Sequence, residues 1–251
     1  MMKQLYLAWQ DTGRSRAWYP IGCLERGEQS DYRFCYVKGA ERAHREAEME
    51  PLASFPDFHR CYRSKELFPL FKNRLIPRNR EDFGQFIQSL NLPPDADDFE
   101  ILSLTGGTRA TDNFEMFPAF EPDADGMFRC RFFLHGWRHV NDVAQKRIPQ
   151  LEEGQSLRVS VELNNPATQL AIQIQTSDYI MLGWTPRYLV RDLIDIVNED
   201  NREICATVIK VNPNAPIRNR ILIELRGKWP KCYQPLSNED FHVIADLQGV
   251  S

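Results

Sequence analysis

The run Ser156–Asn198, SLRVSVELNNPATQLAIQIQTSDYIMLGWTPRYLVRDLIDIVN, decides how this chain is read. It scans as strand, Asn165-Pro166 turn, strand, a Gly183-Trp184-Thr185-Pro186-Arg187 corner, and then a helix. ICATVIKVN (204–212) and RILIELRGKWP (220–230) follow as two further strands. Thr185 is a suitable N-cap and Pro186 occupies the first helical position. Leu189, Leu193, Ile194 and Val197 then make the buried stripe of a helix over Arg187–Asn198.

Outward from this run, the 251 residues suit one large domain or two small ones. Apolar content of 42% and charged content of 26% are ordinary for a soluble globular protein. No apolar run reaches the roughly 18–20 residues a membrane helix needs, and the N-terminus lacks the apolar core of a secretory signal. The expectation is a cytoplasmic protein that does not bind membranes. Six cysteines are scattered with no C-x-x-C pair, which in that compartment predicts free thiols rather than disulfides or zinc ligands. Net charge is −4: residues 1–124 hold 16 Lys+Arg against 20 Asp+Glu, and residues 125–251 hold 15 against 15. Neither half has the cationic excess of a protein that coats nucleic acid, so any such site is local and small.

The acidic, Pro- and Gly-containing stretch 117–127 (FPAFEPDADGM) is the expected boundary between two modules, 1–120 and 125–235, with 236–251 as a C-terminal tail. In the first module, Gln4–Trp9, Ala17–Glu25 and Tyr32–Lys38 read as strands. Glu41–Glu50 is polar and fits a helix turn or an exposed loop. Asp82–Asn91 reads as an amphipathic helix with Phe83, Phe86, Ile87 and Leu90 inward, and Thr105-Gly106-Gly107-Thr108 as a tight turn.

Two resemblances attach to these residues. Asn165-Pro166, Ala171-Ile172, Leu182-Gly183-Trp184 and Pro186-Arg187, with Phe132–His139 upstream, resemble the HIRAN domain over about residues 128–231. That resemblance implies a small β-barrel that binds DNA and is not itself an enzyme. It also implies that Arg138 and His139 contact a strand end, that Asn165 is the turn asparagine, and that Trp184 contacts base or backbone. Members that grip a free 3′ hydroxyl carry an aromatic–aspartate pair after the turn, where this chain has Ala167 and Thr168. Residues 5–118 resemble the N-terminal subdomain of HipA-type kinases, through Gly22-Cys23-Leu24, Tyr32/Phe34/Tyr36, Leu67–Leu75 and Gly106-Gly107. Here the sequence continues into the second module instead of a kinase core, so the resemblance implies an interaction module and carries over no phosphoryl transfer.

Read from the residues themselves, Arg187 in a first helical turn opposes the helix dipole, unless an anion joins it there. The other reading is a solvated arginine or a partner for Asp192. Trp184 and Trp137 can stack on bases or pack in a core. Arg218 and Arg220, alternate residues after a Pro-rich loop, can flank a backbone or form the polar face of an edge strand. The histidines show no metal-binding spacing, no cofactor motif is present, and Glu162, Asp178 and Lys210 have no spacing that selects them as a nuclease cluster.

The expectation is therefore an α+β protein: an N-terminal mixed sheet with short helices, then a small barrel with one main helix. Its function would be that of a non-enzymatic adaptor, without metal or cofactor. It would sense single-stranded or end-containing DNA weakly through Arg138, His139, Asn165, Trp184, Arg187, Arg218 and Arg220, within bacterial repair, defence or toxin–antitoxin biology. A protein partner would supply the catalysis. The rival is a protein–protein regulator, antitoxin-like, that binds no DNA; net charge and the Ala167/Thr168 positions favour it.

Overall fold

The structure is a computed structural model that describes residues 3–27, 31–120, 123–166, 168–198, 204–231 and 233–244. The described chain falls into two compact units. One holds residues 3–83, 96–119 and 236–244, and the other holds Gly84–Asp95 and Phe120–Pro235. Glu121, Pro122 and Ala167 lie outside the described residues.

The first unit is built on β1 (Lys3–Gln10), β2 (Trp18–Arg26), β3 (Tyr32–Tyr36), β4 (Tyr62–Ser64) and β5 (Phe114–Pro118), an antiparallel sheet in the order β4-β3-β2-β1-β5. Apolar and aromatic runs make these strands, and their inward residues supply the core with Leu5, Leu7, Ile21, Phe34 and Met116. Helix α1 (Lys38–Ala47) lies on the sheet through small residues, Gly39, Ala40 and Ala43. Helices α2 (Pro69–Lys72), α3 (Phe83–Ser89) and α4 (Asp98–Thr105) follow, α3 belonging to the second unit from Gly84 on. Ile87 and Leu90 are buried, Phe83 and Phe86 partly so. A capping box of Asp97 and Glu100 starts α4, and Gly106, in the left-handed region at φ 65°, ends it. Residues 236–244 return to this unit: Lys38 N–H donates to His242 O and Ile244 N–H to Tyr36 O.

One expectation about the cysteines is overturned. Cys35 and Cys61 form a disulfide. Phe34 pairs with Tyr62 across β3 and β4, so Cys35 and Cys61 face each other one step along the same antiparallel pairing. Cys23 and Cys130 are buried free thiols, and Cys205 is exposed.

The second unit contains β6 (Met127–Phe133), α5 (Asp142–Arg147), β7 (Ser156–Asn165), β8 (Gln169–Gln175), β9 (Met181–Trp184), α6 (Val190–Asn198), β10 (Cys205–Val211) and β11 (Ile221–Lys228). Its sheet is antiparallel, in the order β6-β11-β10-β7-β8-β9. With the first sheet this gives the expected α+β class. The expected small barrel is not closed: among the described residues, the two ends of the sheet meet through one bridge, His135 with Trp184. Leu157, Ile172, Ile174, Leu182, Val208, Ile223 and Leu225 fill its inner face. Asn212 Nδ2 donates to Ser89 O, joining the 84–95 segment to this unit.

The main helix also starts later than expected. A 3-10 turn covers Arg187–Leu189, and the α-helix begins at Val190. Thr185 is not an N-cap: its N–H donates to Ile172 O, extending the strand pairing, and its hydroxyl is buried without a hydrogen-bond partner. The tighter turn rotates the helix phase. Leu189, Leu193 and Ile196 face the core, while Ile194 is half-buried and Val197 is 42% exposed.

Candidate functional site

Trp184 ends β9 opposite Gln173, which is itself opposite Ser160 on β7. Residues directly opposed in an antiparallel sheet share a face, and so do every second residue of a strand, so Trp184, Gln173, Ser160 and Glu162 all lie on the outward side. The indole Nε1–H donates to Glu162 Oε2 at 2.6 Å, and Asn165 Nδ2 donates to the same oxygen at 3.0 Å. Burial pushes the Glu162 carboxyl up, but hydrogen bonds from Asn165, Trp184 and Gln173 outweigh it and hold the group below its ordinary range. The ring is also covered by backbone. A Cβ on Gly136, which sits at φ 65°, would come within 2.5 Å of Trp184 Cε3, so only glycine permits this contact. Trp184 is therefore a half-buried ring fixed at its edge by a carboxylate and backed by a glycine.

The network continues from the ring to a groove. Asn165 Oδ1 accepts from both the backbone N–H and the hydroxyl of Thr168. Thr168 lines an open depression of about 400 Å³ with Leu170, Arg187, Val190, Arg191, Ile194 and Asp195. Its floor is aliphatic, and two guanidiniums and one carboxylate stand at its sides. Asp195 is fixed from behind: the Tyr233 hydroxyl donates to Asp192 Oδ1 at 2.7 Å and lies 3.0 Å from Asp195 Oδ2. Burial, then the two carboxylates, push the Tyr233 phenol far above its ordinary range. Arg187 is exposed at the groove. It precedes the α-helix in the 3-10 turn, where Leu189 N–H already donates to Pro186 O, so it acts here as a rim cation and not beside a bare helix start.

Arg138 and His139 lie in a 3-10 turn, Trp137–His139, and both are exposed. Arg138 Nε donates to His139 Nε2 at 3.1 Å. The Arg220 guanidinium lies 5.4 Å from the centre of the Trp137 ring, and its Nε donates to Ala215 O. Residues 212–220 form the expected loop between β10 and β11; Ile217–Asn219 is a 3-10 turn with Arg218 exposed on it, and β11 starts at Ile221, so Arg218 and Arg220 do not stand on one side of a strand. The structure thus gathers Asn165, Trp184 and Arg187 around Thr168, and Arg138, His139 and Arg220 around Trp137. The His135–Trp184 bridge and Gly136 join the two groups.

Glu162, Arg191, Asp195 and Tyr233 were not singled out as members of this site from sequence. The legible signal was the outward period of β7, which puts Glu162 beside whatever side chain projects from the end of β9. The three residues weighed as a nuclease cluster have separate partners: Glu162 holds Trp184, Lys210 pairs with Glu153 at 3.1 Å, and Asp178 bonds to the Thr176 side chain. Among the described residues, no group of three or more His, Cys, Asp or Glu gathers as a metal site, and no helix is long and apolar enough to cross a membrane.

No family model matches the chain, and no curated protein matches it in sequence. Two solved structures are similar to part of it. A protein from Lactobacillus plantarum is 18% identical, with 41% of this chain and 97% of that chain covered and a TM-score of 0.33. The HIRAN domain of human HLTF is 15% identical, with 45% of this chain and 81% of that chain covered, also with a TM-score of 0.33.

Proposed function

We propose that the second unit binds single-stranded or end-containing DNA at the Trp184–Arg187 site, and that the protein is a non-enzymatic adaptor. The observation that carries this reading is the fixing of Trp184 on the outward sheet face, next to a groove walled by Arg187 and Arg191. A core tryptophan has no need of a carboxylate on its edge and a glycine against its face at the surface of the sheet. A stacking platform does, because a base gains roughly 1–3 kcal/mol only against a ring already held in place. Arg187 and Arg191 would take neighbouring phosphates, and Arg138 another. In this reading the first unit is a docking module, HipA-N-terminal-like, for a partner that supplies catalysis in a bacterial repair, defence or toxin–antitoxin system.

A fluorescence-anisotropy titration with a labelled single-stranded oligonucleotide at low salt tests this. Wild type binds weakly, with a shallow salt dependence set by the few phosphates contacted. Arg187→Ala binds all sequences less well and with a flatter slope. Equal binding by Arg187→Ala refutes the site. The second reading, a protein–protein regulator, is favoured by the groove's aliphatic floor and by Leu163, 68% exposed two residues before Asn165. It takes over if wild type binds no form of DNA at low salt.

A further inference from the structure

The pair β6–β11 carries a separate set of cations. Arg129 and Arg131 on β6, and Arg226 and Lys228 on β11, are all exposed. Arg129 stands directly opposite Arg226, Arg131 opposite Glu224, and Met127 opposite Lys228, so all four cations project from one side of the sheet. Like charges directly opposed across strands are destabilising, so fold stability does not account for the Arg129–Arg226 pairing. A single carboxylate organises the group. Glu224, only 3% exposed, accepts from Arg131 Nε at 2.8 Å and from Arg226 Nε at 2.6 Å. Burial pushes the Glu224 carboxyl up, but the two arginines more than offset this and keep it ionised. Both guanidiniums are thereby splayed along the surface, with their side chains 40% and 48% exposed. Among the described residues, the face sets Arg129, Arg131 and Arg226 against the Glu224 carboxylate, with Lys228 at its end.

We propose that this face is a second nucleic-acid contact, one that binds the sugar–phosphate backbone of duplex DNA independently of the Trp184–Arg187 site. Charge complementarity calls for a polyanion. On β10 the same side continues with Cys205 opposite Arg226 and Thr207 opposite Glu224, and on β7 with Ser156 opposite Thr207. Among the described residues of β6 and β11, the ring on this side, Phe133, is buried opposite buried Leu222, so no exposed ring offers a stack to unpaired bases, which sets the face apart from a single-strand platform. Phe133 and Leu222 are covered and Met127 is half-buried, so the described residues present no exposed large apolar side chain of the kind that enters a lipid surface. Cations alone, about 7 Å apart along each strand and about 5 Å across, suit phosphate contacts that carry no sequence information. The sequence signal is short: in FRCRF (128–132) the arginines alternate strictly with buried residues, a pattern that net charge does not show.

The test is filter binding of a relaxed, closed circular duplex, which offers neither ends nor single strands, over a range of salt. The variant Arg129→Gln/Lys228→Gln leaves the Arg131–Glu224–Arg226 group intact, and equal thermal melting to wild type shows that it folds. Wild type should bind the circle. The double variant should bind it more weakly, with the slope of log K against log salt reduced by up to about 1.8, near 0.9 for each lost phosphate contact. Arg187→Ala should bind the circle as wild type does. A double variant with the wild-type slope overturns the proposal, as does a wild type that binds oligonucleotide but not the circle; either leaves the Trp184–Arg187 reading standing. Circle binding that the double variant weakens, with oligonucleotide binding unaffected by Arg187→Ala, keeps this face and removes that site. Binding to vesicles of anionic lipid without binding to the circle also overturns it.

Discussion

Glu162→Ala separates two physical accounts of the site because they predict opposite signs. Glu162 is an anion beside a surface proposed to hold DNA, so pure electrostatics says that its removal strengthens binding. At an effective dielectric of about 20, one charge some 8 Å from a phosphate costs about 2 kcal/mol before salt screening, and about 0.8 kcal/mol at an ionic strength of about 0.15 M. The structure gives Glu162 a different task, since its Oε2 receives both Trp184 Nε1–H and Asn165 Nδ2. Without that oxygen the indole loses its edge contact and Asn165 loses one of the bonds that set the turn beside Thr168. A stacking contribution of roughly 1–3 kcal/mol then falls substantially. The predicted net effect is weaker binding by about 1 kcal/mol, or roughly fivefold. Glu162→Gln keeps an acceptor for the indole and removes the charge, so it should bind as tightly as wild type or slightly more so. Anisotropy titrations of the three proteins at a fixed ionic strength of about 0.15 M, with circular dichroism to confirm folding, give the answer. If Glu162→Ala binds as well as or better than wild type, Trp184 is not a positioned platform and the reasoning fails.

Other outcomes follow from the same geometry. Arg74, with its side chain 2% exposed, donates to both Asp112 oxygens and to the carbonyls of Leu70 and Gly107, so Arg74→Ala should destabilise the first unit by about 3 kcal/mol in urea unfolding. A loss below 1 kcal/mol would show that the group is hydrated. Cys61→Ser opens a crosslink of sequence separation 26 and should cost about 3 kcal/mol, read as a lower Tm that reductant does not lower further. Because the folded Glu224 pKa lies below its ordinary 4.5, its contribution to stability is complete above that pH and is lost as pH falls through the lowered value. Wild type should lose Tm on acidification below about pH 4.5 more steeply than Glu224→Gln does; parallel acid limbs would remove Glu224 from the account.

The first three strands were legible because their apolar and aromatic runs are long. Helix α1 was not, because it buries Gly39, Ala40 and Ala43, and small residues leave no apolar stripe to read. The Cys35–Cys61 bond was hidden for a related reason. It depends on β4, a three-residue strand (YRS) with no pattern of its own, whose pairing with β3 sets the two thiols opposite. At the candidate site, Asn165 and Trp184 were singled out through the family resemblance and Arg187 through its place after Thr185-Pro186, whereas Glu162 joins them only once β7, β8 and β9 are in register. The face of α6 was misread because Thr185 continues a strand, which delays the helix and exchanges Ile194 and Val197 for Ile196 in the core.

The central claim, that Trp184 is a base platform, is tested most directly at its own indole N–H. In a proton–nitrogen NMR spectrum the five tryptophan side-chain signals can be sorted with Trp184→Phe, and an unlabelled single-stranded oligonucleotide added stepwise. The account predicts that the Trp184 indole signal shifts progressively with DNA, while that of the buried Trp229 stays in place. If DNA is added to saturation and the Trp184 signal does not move, the platform is not where the DNA binds.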